Sequence, residues 1–337
     1  MQDIDDYLQP TKRCRIISSD FADLLPDDII VDSSSSIVVS NTRLDHHVDN
    51  GWTNLDSIAK YYRTLPTSNV EYPPVVTTYL DSDAVISTAV LILYMQRKID
   101  IHDLLFTDLG KVLYSASYWC DYQIACSQLS PSINSQGEQL ELWLRLEMQK
   151  HLGEDRAKPS KPKQTLVFRQ LVAAMMSISQ TKFPPACTSL DAHREMMKMK
   201  KTLRSYVRDD LSAKSFGVIW TFDDAPGFRI IPRAYFSLFT QPLIVRIIES
   251  RANPSDMKRQ VFITPNPLLP DWKTLNLNIL GANLQTTDQT WKLTGRRFMI
   301  GQTGTSWPVS ALISALKKVD MRRLRDDKCP NWSIYEQ

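Results

Sequence analysis

The stretch LDHHVDNGW (44–52) sets Asp45, His46, His47 and Asp49 within five consecutive residues of a chain that has only five histidines. A second acidic knot, TTYLDSDAVIS (77–87), lies downstream and carries Asp81 and Asp83. Carboxylate oxygens bind Mg, Mn or Ca, and added imidazole moves the preference toward Mn, Fe or Zn. Together the two stretches offer a donor set for a hard or borderline divalent cation. In extended backbone residues i and i+2 share a side, so Asp81 and Asp83 converge if Asp83 is still extended. If Asp83 instead opens a helix, it serves as an N-cap worth about 1 kcal/mol and a single carboxylate faces the ion. Both assignments are open. For the histidines the alternative is a polar turn, with Asp45 accepting from a histidine N–H and Asp49 closing a tight turn with Asn50-Gly51. The pairing of the two stretches favours the metal site.

The elements around these residues read as α/β. DDIIVD (27–32) and SIVVSN (36–41) are β-like runs, the second leading into the histidine loop. Leu55, Ile58, Ala59 and Tyr62 share one face of a helix over 53–65, with Thr53 or Asn54 as N-cap. TSNVEYPP is a turn, its paired prolines excluding helix. PVVTTYL (74–80) is a β-branched strand stopped by Asp81, and the apolar run 84–96 is a buried helix beginning at that loop. Strand, acidic loop and helix in this order is the arrangement that sets ligands at strand C-termini. Helical patterns follow over 101–128, 136–152, 165–179 and 189–208, with the polar stretch 153–164 as a surface loop. Beyond residue 210 the runs FGVIWTF, FRIIPR, LIVRIIES and QVFITP are strand-like. The chain then gives a glycine-containing loop, GQTGTSWP, a helix over 309–319 and a basic tail.

Composition bounds the answer. With 43% hydrophobic and 23% charged residues over 337, the chain is globular, and its length suggests roughly two domains. A net charge of +3 argues against a general nucleic-acid or membrane-surface binder. The five cysteines are scattered without a CxxC pair, the pattern of free thiols in a reducing compartment. Neither a signal peptide nor a long apolar window occurs, so the expectation is a soluble, cytoplasmic protein without membrane attachment. The ten glycines include no GxGxxG fingerprint.

TTYLDSDAVIS resembles the first motif of the DHH phosphoesterases, a strand followed by His-x-Asp-x-Asp-Ala/Gly and a helix. Asp81 and Asp83 match its two aspartates and Ala84 the small residue, while Tyr79 stands where the family has a histidine ligand. Asp45, His46 and His47 spell the family's Asp-His-His motif, here upstream of the Asp-x-Asp strand rather than downstream. A closer likeness is to an uncharacterised bacterial family with a DHH-like core, where a histidine loop precedes that strand and a Gly-Asp-Phe-like element follows it. YWCDYQIA (118–125) resembles this last element and offers Asp121, preferred over the rival Asp108. The likeness covers roughly residues 35–200. It implies a parallel-sheet domain and the place of a site more than a reaction. The resemblance to the wider DHH superfamily, typically with two manganese ions, implies hydrolysis of phosphoesters or phosphoanhydrides with one or two metal ions held here.

Other stretches have plainer readings. Asp191 and His193 in SLDAHREM read as the capped start of a helix. The run 194–208 is a basic face over a core-packed stripe. Gly301, Gly304 and Thr305 precede a helix and can offer backbone N–H groups to an anion. Arg296 and Arg297 can grip a phosphate in bidentate fashion. His102 and His151 stand near helix ends without a special role.

The expected architecture is an N-terminal extension (1–24), a parallel-sheet DHH-like α/β domain (25–208) and a smaller α+β domain (209–337). The expected metal ligands are Asp45, His46, His47, Asp81, Asp83 and Asp121, with Asp81, Asp83 and His47 catalytic. The cofactor is a divalent ion, Mn ahead of Zn or Fe. The substrate is a small phosphorylated molecule or short nucleotide, held by Arg296, Arg297, Gly301, Gly304 and Thr305. The alternatives are a degenerate DHH-like binder of a nucleotide or partner without catalysis, and a metal-dependent C–N hydrolase.

Overall fold

The computed structural model describes residues 8–33, 37–65, 73–96, 99–152, 160–181, 189–222, 232–249, 259–286, 288–293, 299–305, 308–326 and 331–335. The chain divides into two compact units, Met1–Ala192 with Asn331–Gln337, and His193–Pro330. The architecture is mixed α/β.

The first unit is built on four short strands, β1 (Arg15–Ile16), β2 (Ile29–Val31), β3 (Arg43–Leu44) and β4 (Val75–Thr77). All pair in parallel, in the order β1-β4-β2-β3. Parallel strands are covered on both faces and so are continuously apolar. IIV and VVT are accordingly fully buried. SIVVSN is not a strand over its described residues: Val38 is 93% exposed, and the pairing falls instead on Arg43 and Leu44. β-branched residues favour a strand only where a packed neighbour receives them. Asn41 is held out of the sheet, its amide donating to the carbonyls of Leu25, Pro26 and Asp28.

After β3 comes one turn of helix, α1 (His46–Asp49), then α2 (Asn54–Tyr61). Thr53 is the N-cap of α2, and Asp56 Oδ2 accepts its N–H at 2.9 Å. The turn 66–72 lies outside the described residues. α3 (Ser82–Met95) follows β4 and is buried along nearly its whole length. It packs against α2, β2 and the later helices α5, α6 and α7. These are preceded by α4 (Ile101–Phe106) and comprise α5 (Asp108–Tyr122), α6 (Pro131–Leu152) and α7 (Lys161–Thr181). The expected helix 101–128 is thus two helices, broken at Thr107, whose extended backbone and side chain cap α5. It stops at Gln123, which takes a left-handed φ of 59°. α5 and α6 approach closely because Gly137 has no side chain: a Cβ there would come within 2.4 Å of Ser115. Of the polar stretch 153–164, residues 153–159 lie outside the described residues and the rest is not loop from Lys161 on, where α7 starts with Pro162 in its first turn, a position proline tolerates.

α8 (Ser189–Arg204) leads into the second unit. Its sheet combines β5 (Phe216–Phe222), β6 (Leu243–Glu249), β7 (Arg259–Pro265), β8 (Lys292–Leu293) and β9 (Ile300–Thr305), in the order β5-β6-β7-β9-β8. Only β5 and β6 run parallel. Phe216, Val218, Val245, Ile247, Val261 and Ile263 form one apolar face. It is covered by α10 (Leu277–Gln285) and α11 (Val309–Lys317). The FRIIPR strand is overturned at its described end, where Pro232 starts the short helix α9 (Pro232–Phe236). Among the described residues, no helix is long and apolar enough to cross a membrane.

A candidate metal centre at the strand ends

The side chains that could do chemistry gather at the C-terminal ends of β2, β3 and β4. Asp32 follows β2, Asp45 follows β3, and Asp81 follows β4. β2 lies between the other two, and the chain passes from it first to β3 on one side and then to β4 on the other. Such a reversal opens a crevice beyond the strand ends, where α/β folds bind ligands.

Asp45 organises the histidines. It is the N-cap of α1, and its Oδ1 accepts the His47 backbone N–H at 2.9 Å and His47 Nδ1–H at 2.8 Å. Its Oδ2 accepts from Ser33 N–H at 3.0 Å and pairs with the Arg43 guanidinium at 2.9 Å. Burial pushes the Asp45 carboxyl up, but His47 and Arg43 outweigh it and hold it below the ordinary range. α1 ends at Asn50, in the left-handed conformation at φ 62°, and Asp49 accepts the Gly51 N–H at 2.9 Å. The polar turn and the histidine cluster therefore coexist; the first presents the second.

His46 is fully buried. Its Nδ1 lies 3.1 Å from the Trp52 carbonyl, which can only accept, so the proton sits on Nδ1 and Nε2 carries the lone pair. Nε2 faces Asp32 Oδ1 at 3.4 Å and Asp83 Oδ2 at 3.8 Å. Asp121, near the C-terminus of α5, brings Oδ2 to 3.5 Å from Nδ1. His47, its side chain 24% exposed, places Nδ1 at 3.6 Å from Asp32 Oδ1. Two sets of candidate ligands result, Asp32, Asp45, His46 and His47, and His46, Asp83 and Asp121, the atoms within each lying within 4.8 Å of one another.

Asp32 is the residue that the sequence reading passed over. It follows the buried strand Ile29–Val31 as Asp81 follows PVVTTYL, so the same strand-then-acid signal was present. Its φ of 46° is left-handed, uncommon for any residue but glycine. Tyr79 donates its hydroxyl to Asp32 Oδ1 at 3.0 Å, and Oδ2 is buried without a hydrogen-bond partner among the described residues. Burial, then the charges of Asp81, Asp83, Asp121 and Asp45, push this carboxyl well above its ordinary range. Buried like charges are costly unless a cation compensates them. An orphaned carboxylate oxygen among acids and imidazoles fits a divalent metal, and this buried Asp/His cluster could hold one.

The two aspartates of LDSDA exchange the roles considered for them. Asp81 is the helix cap, accepting Ala84 N–H at 2.9 Å, and belongs to neither ligand set. Asp83, inside the first turn of α3, points its carboxylate at His46. Asn54 N–H and Ser87 Oγ each donate to it at 3.1 Å. The reason is local: an extended residue at the helix entrance caps, whereas the residue two further on is turned toward β2. Asp108 starts α5 behind the Thr107 cap and joins neither set.

In the second unit, Gly301, Gly304 and Thr305 lie in β9 rather than in a loop before a helix. Gly301 pairs with Phe262 and Thr305 with Arg259, so this backbone is engaged in the ladder instead of forming an anion cradle. Arg296 and Arg297 lie outside the described residues, and for Asp191 and His193 only the helix is described. His102 stacks on Phe106, and His151 pairs with Glu147. No protein-family model matches the chain, and no curated protein matches it in sequence.

Proposed function

We propose that this chain is a divalent-metal-dependent hydrolase of a phosphoester or phosphoanhydride, related to the DHH phosphoesterases that its two motifs resemble. The observation supporting this most directly is the pair of ligand sets that share the buried His46, one with Asp32, Asp45 and His47 and one with Asp83 and Asp121, where one Asp32 oxygen has no hydrogen-bond partner among the described residues. The mixed oxygen and nitrogen donors suit manganese and also admit zinc or iron. Such an ion supplies a water acidic enough to deprotonate at neutral pH and offsets charge on the phosphoryl oxygens. The chain's own residues do the remaining work. The Trp52 carbonyl keeps the His46 proton on Nδ1, Tyr79 orients Asp32, and Asn54 and Ser87 hold Asp83. Asp45 steadies His47, which is partly open to solvent and would exchange a proton with the leaving group.

Metal analysis of protein as purified, followed by hydrolysis assays with pyrophosphate, short oligonucleotides and a chromogenic phosphodiester, tests the proposal. The expected result is copurifying metal and an activity lost in EDTA and restored by Mn. Protein that neither contains metal nor is stabilised by it would refute the reading. Tyr79, standing where the resembled family has a histidine, supports a second reading in which metal and nucleotide bind without turnover. Metal-dependent nucleotide binding with no product from any of these substrates would favour it.

A further inference from the structure

The segment Asn331–Tyr335 folds back onto the first unit and docks beside the histidine loop. Trp332 makes a short parallel bridge with Gly51. The Trp332 N–H donates to the Asn50 carbonyl and Trp52 N–H donates to the Trp332 carbonyl, both at 3.1 Å. The Trp332 indole N–H donates to the Asp49 carbonyl at 2.9 Å, and Lys60 stands 4.9 Å over its ring. One residue on, Ser333 Oγ lies 2.8 Å from the buried Tyr114 hydroxyl, and Ile334 N–H donates to Asp56 Oδ1 at 2.9 Å. Tyr335 finishes the attachment, its hydroxyl donating to the Leu105 carbonyl and its ring meeting Tyr114 edge-on.

The Trp332 bonds converge on residues 49–52, the link whose Trp52 carbonyl receives the His46 Nδ1 proton, and the bonds of Ser333, Ile334 and Tyr335 anchor the segment to Tyr114, Asp56 and Leu105. We infer that Asn331–Tyr335 is a positioning strap, with Trp332 as its key residue, which fixes the Trp52 carbonyl and thereby presents His46 Nε2 to the metal. The inference rests on the proposed metal centre. Within the loop between α1 and α2, the Asn50, Gly51 and Thr53 N–H groups bond locally, whereas Trp52 N–H and the Asp49 and Asn50 carbonyls bond Trp332, which thereby brackets the Trp52 carbonyl. In metal sites, partners that orient a ligating histidine through its second nitrogen are worth about 10–100-fold in affinity.

The test uses three variants of the full chain with two readouts, Mn affinity by calorimetry and the His46 tautomer by 15N NMR, with His46→Ala giving the assignment. Trp332→Pro removes the N–H that bonds Asn50 and should lower Mn affinity about tenfold or more while shifting His46 away from a single Nδ1–H form. Trp332→Phe keeps ring packing, loses only the indole bond, and should give a smaller drop in the same direction. Met176→Ala, in the α7 core and outside the strap and both ligand sets, should lower thermal stability while leaving affinity and tautomer unchanged. Folded Trp332 variants with parental affinity and tautomer would overturn the strap. So would Met176→Ala matching Trp332→Pro in affinity, because the effect would then be general stability. If the parent binds no Mn, the metal reading fails; the tautomer comparison still decides whether Trp332 positions His46.

Discussion

Asp32→Asn should move stability in opposite directions with and without metal. In EDTA burial, and then the charges of Asp81, Asp83, Asp121 and Asp45, push the parent's Asp32 carboxyl well above its ordinary range. The asparagine oxygen can still accept from Tyr79. Its NH2 takes the place of the oxygen that has no hydrogen-bond partner, and it faces carboxylates. The variant in EDTA should therefore melt at or above the parent temperature. With Mn at roughly 100 to 1,000 times its dissociation constant, linkage stabilises the parent by about 2.7–4 kcal/mol. For a unit of this size that is a rise of about 5–16 °C. The variant, lacking a ligand charge at the centre of the cluster, should show little of this rise. Scanning calorimetry of both proteins, with EDTA and across a Mn series, measures the four quantities needed. A variant less stable than the parent in EDTA that still gains the full metal increment would refute the argument, because Asp32 would then be a structural carboxylate and not a ligand.

Tyr79→Phe removes the hydroxyl that orients Asp32 and should weaken Mn binding about tenfold in a calorimetric titration, with a stability loss near 1 kcal/mol. Gly137→Ala forces a Cβ to within 2.4 Å of Ser115 and should cost about 1–3 kcal/mol, read from the urea midpoint. Asp56 is fully buried, and burial pushes its carboxyl up to about 7 despite hydrogen bonds from Ile334, Thr53 and Tyr114. A pKa raised on folding stabilises below the unfolded value and loses that contribution as pH rises through about 7. The full swing is roughly 4 kcal/mol. Asp56→Asn should remove this decline, visible when parent and variant urea midpoints are compared from pH 5 to 9.

What could be read from the chain follows from how locally each feature is determined. The helix over 84–96 was legible because an unbroken apolar run after an acid leaves few other structures, and it forms as α3 over Ser82–Met95. The Thr53 cap was legible for the same reason, since capping is settled within a few residues. SIVVSN failed because strand formation depends on a neighbour: Ile37 and Val38 are exposed and pair with no strand among the described residues. GQTGTSW failed in the converse way, its glycines reading as a loop until β7 supplied a ladder. At the site, His46 lies 3.5 Å from Asp121, the acid that the resemblance of YWCDYQIA offered. Asp32 was missed because DDIIVD was read for its apolar core rather than for the acid that ends it. The contact of Trp332 with the histidine loop was beyond reach, since a hydrogen bond spanning 283 positions leaves no periodicity in the sequence.

The order of the motifs along the chain posed the main difficulty for the DHH resemblance, and the sheet explains why order need not matter. Ligand geometry requires that the ends of three strands be neighbours, whichever is made first. Here β2 is hydrogen-bonded on one side to β3 and on the other to β4, with Ile30 paired to both Arg43 and Val76. Asp32 therefore stands between the histidine loop that follows β3 and the acidic loop that follows β4. Had β3 and β4 been exchanged in the sequence, the same acids and imidazoles would face one another across β2, with only the crossover connections altered. Chain order is thus weak ground for rejecting a shared site. Spatial order is stronger ground for proposing one, because it sets Asp32 between the two loops and makes His46 the member common to both ligand sets.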